Sequence, residues 1–142
     1  MKIVVPVDGS PASIRAAKLA VSFARAKRGS RLILVNVQNL KTEGLGEAAA
    51  AMPPGYEERT IQHLGRMATH KAAGLCAKAR VRFKTCVESG AIAPTIARVM
   101  GREGADHIVM GTRGMGGVRG LLLGSVATKV VQLSSVPVTL VK

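Results

Sequence analysis

Residues 32–37 read LILVNV, an aliphatic run of strand length interrupted by one polar residue. A half-exposed strand alternates polar and apolar side chains, whereas a strand covered on both faces is apolar nearly throughout. This run therefore predicts a buried parallel strand with helices packed above and below it. Apolar residues make up 47% of the 142 residues but aromatic residues only 2%, so the core must be built from Val, Ile, Leu, Ala and Met. The length suits one domain spanning residues 1–142, with a core large enough to need neither disulfide nor metal. Cys76 and Cys86 lack CxxC spacing and read as ordinary reduced thiols.

The flanking segments fit the same plan. Lys2 to Val7 reads as a buried strand ended by Asp8-Gly9-Ser10, with Pro6 tolerated near its end. Ser10 suits an N-cap and Pro11 the first helical position, and from Ala12 to Arg28 the residues Ile14, Ala17, Val21 and Ala24 share one face. Residues 38–56 lack an amphipathic pattern and read as a long, flexible connection of the kind that serves as a lid. Glu57 to Ala79 is a second helix with Ile61, Leu64, Ala68, Ala72, Leu75 and Ala79 inward, and with His63 and His70 on the surface. Val81 to Val87 alternates like a half-exposed edge strand, and Glu88-Ser89-Gly90 reads as a turn. Ala91 to Arg102 is a third helix with Ile92, Ile96 and Val99 inward. His107 to Met110 is a strand, and His107 reads as a packed or hydrogen-bonded residue. Ser125 to Leu133 is the last helix, with Val126, Val130 and Leu133 inward, and Val136 to Val141 is a closing edge strand.

Five strands alternating with four helices predict an α/β fold, an open parallel sheet with right-handed crossovers and helices on both faces, Rossmann-like. Ligands of such sheets bind beyond the C-terminal strand ends, where strand order reverses. The distinctive strand ends here are Val7-Asp8-Gly9 and Met110-Gly111, which should be neighbours.

The second of these opens into GTRGMGGVRGLLLGSV, residues 111–126. Glycines reach positive φ and let a backbone approach an anion closely, and the helix that follows adds a positive dipole end and the Ser125 hydroxyl. A phosphorylated ligand is the chemistry this suits; a plain surface loop is the alternative. GxxxxGK[ST] is absent, DGSPAS offers one glycine where a dinucleotide fingerprint needs three, and GxSxG is absent. No catalytic residues are assigned.

Lys and Arg number 21 against 8 Asp and Glu, a formal charge of +13. Such an excess attracts anionic partners, yet the basic residues are spread along the chain without interleaved aromatics, so a solvated basic surface is favoured over a nucleic-acid-associated protein. No apolar run approaches the roughly 18 residues of a membrane span. MKIVVPVDGS does not resemble a signal peptide, and a cytoplasmic location is expected.

Gly111-x-x-Gly114, nine residues, then Gly124-Ser125 resembles the G-2x-G-9x-G-S/T pattern of the nucleotide-binding universal stress proteins. IVVPVDGS at the start, ESG at 88–90 and VPVTLVK at the end are similar to that family as well. The resemblance implies strand order 3-2-1-4-5 and a homodimer paired through the last strand, with Val136, Val138 and Leu140 on it. It implies a base and ribose pocket at Pro6, Val7, Asp8 and Val37, with Met110 at the adjoining strand end. It also implies a loop of Gly111, Arg113, Gly114, Gly116 and Gly117 around ribose and phosphates, and Gly124, Ser125 and Val126 capping the phosphates. Arg119 is a further candidate for the phosphates, and Gly120 is assigned only to the turn. ATP with Mg or Mn is the implied ligand, in a stress-response switch with slow or no hydrolysis; a slow phosphotransferase or nucleotide hydrolase is the enzymatic alternative. The charge and the alanines at 47–51 are not features of that family, which leaves room for an unidentified protein partner.

Overall fold

The computed structural model describes residues 1–39, 53–115 and 123–142. Within them run β1 (Lys2–Pro6), α1 (Pro11–Ala26), β2 (Arg31–Gln38), α2 (Tyr56–Lys78), β3 (Arg82–Ser89), α3 (Ile92–Glu103), β4 (His107–Gly111), α4 (Ser125–Leu133) and β5 (Val138–Val141). The strands form one parallel sheet in the order β3-β2-β1-β4-β5. The expected α/β architecture and strand order are both present.

Alternate residues of the central strands feed two separate cores, as the period-two geometry of a strand requires. Ile3, Val5, Leu32 and Leu34 pack under Ala16, Ala17 and Ala20 of α1 and Ala72 and Cys76 of α2. Val4, Ile33 and Val35 pack under Ile96, Val99 and Met100 of α3 and Ala127 and Val130 of α4. That two-sided burial is why residues 32–35 are uniformly apolar. Burial also pushes the Cys76 thiol up to about 11, and both cysteines are free.

The inward helix faces differ from the pattern read in the sequence. In α1 the fully buried positions are Ala16, Ala17 and Ala20, while Ile14 and Val21 lie partly exposed at the flanks. Small residues let the helix approach the sheet closely, and the larger side chains fit only beside the contact. In α2 the buried stripe is Ile61, Gly65, Thr69, Ala72 and Cys76, shifted from the expected Leu64, Ala68, Leu75 and Ala79. A side chain at Gly65 would overlap Val87 of β3. Ile92, at the first position of α3, and Leu133, at the last of α4, are exposed rather than inward. β3 continues through Ser89, so the turn expected at 88–90 is confined to Gly90, where φ is +128°. Phe83 of β3 is exposed, because the outermost strand is not covered along its first half. β5 is shorter than expected and begins at Val138; Pro137 instead accepts the Ile108 N–H at 3.0 Å.

Other local expectations are met. Ser10 caps α1, its hydroxyl accepting the Ser13 N–H at 3.2 Å, with Pro11 in the first helical position. His107 is packed and hydrogen-bonded, its Nε2 lying 2.8 Å from Thr139 Oγ1 and its ring edge-on to Phe23. His63 and His70 are exposed. Most of the connection expected at 38–56 lies outside the described residues; its ends are Gln38, still in β2, and Gly55, which precedes α2.

The two edges of the sheet are unlike. β3 presents Arg82 and Lys84, both exposed, whereas β5 reads VTLV and carries no charge.

At the end of α2 the chain reverses through Arg80, with φ +55°, and the Val81 N–H reaches the Cys76 carbonyl at 3.0 Å. That position in a helix-terminating turn ordinarily favours glycine, since a Cβ there crowds the carbonyl. Arg80→Gly is therefore expected to stabilise the fold by about 1 kcal/mol, checked by urea unfolding. Gly65→Ala should destabilise it by roughly 1–3 kcal/mol through overlap with Val87; an unchanged midpoint would show that the β3 packing can yield.

Candidate functional site

Strand order reverses between β1 and β4: the chain leaves β1 toward β2 on one side and leaves β4 toward β5 on the other. Their C-terminal ends therefore border a crevice. Asp8, two residues beyond β1, spans it. Its Oδ1 accepts the Ser10 N–H at 3.0 Å and its Oδ2 accepts the Met115 N–H at 2.9 Å. One carboxylate thus ties the β1–α1 turn to the loop after β4.

Each glycine of the G-2x-G-9x-G spacing sits at a close approach within this region. A Cβ on Gly111 would lie 2.9 Å from Ala12 of α1, and one on Gly114 would lie 2.5 Å from Asp8 Oδ2. A Cβ on Gly124 would lie 3.2 Å from the Thr112 carbonyl, the oxygen that accepts the Gly124 N–H at 2.7 Å. A side chain at Gly111 would press on α1, one at Gly114 on the Asp8 carboxylate, and one at Gly124 on the Thr112 carbonyl within the loop itself.

Gly124 is also the N-cap of α4, and it supplies no side-chain cap. The N–H groups of the first helical turn have no partner within the helix and carry the positive end of its dipole. Ser125 is exposed beside them. This contrasts with α1, whose N-terminus is closed by Ser10.

Partial burial, the strongest single influence on Asp8, pushes its carboxyl upward. Donors outweigh it: the Ser10 side chain and N–H, the Met115 N–H and the Ser13 side chain together hold Asp8 below its ordinary value. Asp8 is thus anionic at neutral pH.

The other residues singled out in the sequence have distinct positions. Pro6 ends β1, half-buried, and Val37 packs partly against the α3–α4 core. Val7 and Met110 are 2% and 4% exposed, with their side chains in opposite cores. Only their backbones are available to the crevice. Arg113 is exposed and Val126 half-buried. Gly116, Gly117, Arg119 and Gly120 lie outside the described residues.

Sequence reading missed three supports. Asn36, the polar residue in LILVNV, is buried and donates from Nδ2 to the Val7 carbonyl at 2.8 Å, while its Oδ1 accepts from Gln38 at 2.7 Å. A lone polar residue in a doubly covered strand was the available signal. Ser13 donates its hydroxyl to the Ser10 carbonyl at 2.9 Å. Thr112 is buried, and its N–H meets the Val141 carbonyl at 2.8 Å, linking the glycine loop to β5.

A model of the universal stress protein family matches residues 1–142. The chain belongs to the universal stress protein family. It is 36% identical over 140 residues to the universal stress protein in the QAH/OAS sulfhydrylase 3′ region of Thermus aquaticus, covering 99% of this chain and 97% of that one. The solved structure of hypothetical protein MJ0577 has a TM-score of 0.79 and 26% identity, with 99% and 94% of the two chains covered. A universal stress protein solved in complex with cAMP has a TM-score of 0.65 and 26% identity, with 99% and 95% covered. This universal stress protein has glycines at 111, 114 and 124, the last followed by Ser125. No helix among its described residues is long and apolar enough to cross a membrane.

Because the Asp8 carboxyl titrates lower when folded, its contribution to stability is present above the unfolded-state value near 3.9 and is lost as pH falls through the lower folded value. Asp8→Asn is expected to flatten the acid limb of a stability–pH profile below about pH 4. An unaltered acid limb in the variant would show that Asp8 does not carry this linkage.

Proposed function

We propose that this universal stress protein binds ATP in the crevice between β1 and β4 and acts as a dimeric, nucleotide-dependent regulatory switch. The observation that carries this reading is the N-terminus of α4, which has no side-chain cap among the described residues and is set beside a loop whose glycines allow close backbone approach. Such an arrangement suits phosphate oxygens, which accept from helix N–H groups and from a hydroxyl such as that of Ser125. The relative solved with cAMP supports an adenine nucleotide as the ligand class.

In this reading Asp8 meets the ribose side of the nucleotide, Pro6, Val7 and Val37 border the base, and Gly111, Arg113 and Gly114 follow the ribose and phosphates. Gly116 and Gly117, outside the described residues, are assigned to the same ligand by the motif alone. Gly124, Ser125 and Val126 receive the terminal phosphates. Mg or Mn would accompany the nucleotide, held by phosphate oxygens and water, with no protein ligand assigned. The ion would offset phosphate charge.

Hydrolysis is slow or absent in this reading. Both Asp8 oxygens already accept backbone N–H groups, so the carboxylate is poorly placed to take a proton from water. Coupling to assembly would run through Thr112, which links the glycine loop to Val141. Among the described residues β5 pairs with β4 alone, on its inner side, which supports a homodimer joined at the outer side with Val136, Val138 and Leu140 at the contact. A protein partner would read the nucleotide state.

Calorimetric titration of nucleotide-stripped protein with ATP, with and without Mg, is expected to give micromolar binding near one site per chain. Ser125→Ala removes a charge-assisted hydrogen bond and should weaken binding by about tenfold or more. Gly114→Val should displace the loop from Asp8 and weaken it further, with the fold retained by circular dichroism. Unchanged affinity in both variants would remove the site assignment, and absence of binding in the parent would remove the switch.

A further inference from the structure

The crevice lies at the C-terminal ends of the strands, but a concentration of charge lies at their N-terminal ends. Two adjoining shallow clefts of about 300 Å³ and 410 Å³ lie there, with Gly29 and Arg82 lining both, and together they make up a basic trough. Arg25 and Arg80 line one part, Lys2 and Arg31 the other, and Arg82 both. All four arginines are exposed. Among the described residues Asp106 is the one carboxylate in the lining, and it accepts the Lys2 backbone N–H at 2.7 Å. The described ion pairs lie elsewhere, joining Lys84, Arg98 and Arg102 to Glu88 and Glu103.

Helix dipoles do not account for this surplus. The C-terminal ends of α1, α2 and α3 lie near the trough and attract cations, Lys2 Nζ donating to the Glu103 carbonyl at 2.9 Å, but each is worth only about half a negative charge. Together with Asp106 they offset about half of the five cations, and the four exposed arginines are left without an ion pair among the described residues.

Two features run against stability here. Lys2 of β1, Arg31 of β2 and Arg82 of β3 are register partners, a row of like charges across three adjacent strands. Like charges set directly opposite in a sheet repel. Arg80 holds the left-handed conformation that glycine would adopt without strain. Costs gathered at one place, with no ion pairs among the described residues to offset them, indicate a function for the charge.

We propose that this trough binds the phosphodiester backbone of duplex nucleic acid without reading its sequence. Guanidinium forks match phosphate oxygens, and a row of cations at the roughly 4.8 Å strand spacing can track successive phosphates. The lining carries no aromatic side chain on which unpaired bases could stack. Of its apolar members Ala24 and Val81 are buried and Met1 is half-buried, so little could insert into a lipid surface. The site is separate from the ATP crevice and does not depend on it.

The test is fluorescence anisotropy of the full chain with a labelled duplex of roughly 20 base pairs and arbitrary sequence, without ATP. Four phosphate contacts predict a loss of affinity of about 100-fold between 50 and 200 mM salt. Two unrelated duplex sequences should bind equally. Arg31→Gln/Arg82→Gln should weaken binding and lower the salt slope by about two. Arg80→Gly should weaken binding while raising the melting temperature, a pair of effects that a structural role for Arg80 would not give. Absence of binding at low salt, or a slope unchanged in the double variant, would overturn the proposal. So would competition by phosphatidylserine vesicles or polyglutamate as strong as that by unlabelled duplex.

Discussion

The close approach of the β4 backbone to the β1–α1 turn governs the geometry of the whole C-terminal end of the sheet. Gly111 lies against Ala12 and Gly114 against Asp8, at separations where a single methyl group would not fit. Because the loop comes this close, Met115 can donate to Asp8, and the acid bridges segments 107 residues apart. Thr112, immediately after Gly111, then reaches Val141 with its N–H and Gly124 with its carbonyl. One contact therefore positions the loop, the start of α4 and the edge strand together.

Much of the architecture was legible because doubly covered strands leave a plain mark. Residues 32–35 face two cores, so no position among them tolerates a polar side chain. The helices were harder, and the reason is distance rather than hydrophobicity. Ile14 and Val21 outrank alanine on any apolar scale, yet α1 sits so near the sheet that alanines take the centre of the contact. Gly65 is similar: within a helix it reads as a weakness, and only the position of Val87 shows why nothing larger fits. Such distances are set by tertiary packing, which periodicity along one segment does not record.

At the crevice, the glycines and Asp8 could be read because the chemistry allows few substitutes at those positions. The partner of Asn36 could not, since the Val7 carbonyl lies just past the end of another strand and far away in the chain. Charge shows the same division. The total of +13 follows from counting, but the alignment of Lys2, Arg31 and Arg82 follows from parallel register, which joins residues far apart in the chain. A basic surface that looked diffuse along the sequence becomes local once the strands are side by side.

The difference between the sheet's two edges bears on how copies can meet. β3 ends the sheet with exposed Arg82 and with Lys84, which is ion-paired to Glu103; covering either with another strand would cost desolvation of its charge. β5 has no such protection. Copies joined through β5 by a twofold axis would each consume their one unguarded edge, leaving a β3 at both outer margins of the combined sheet. Growth would then stop at two, because the contact is self-complementary and exposes no further edge of the same kind. The arginine and lysine of β3 would act as terminators of assembly, keeping a sheet-forming protein from becoming a fibre.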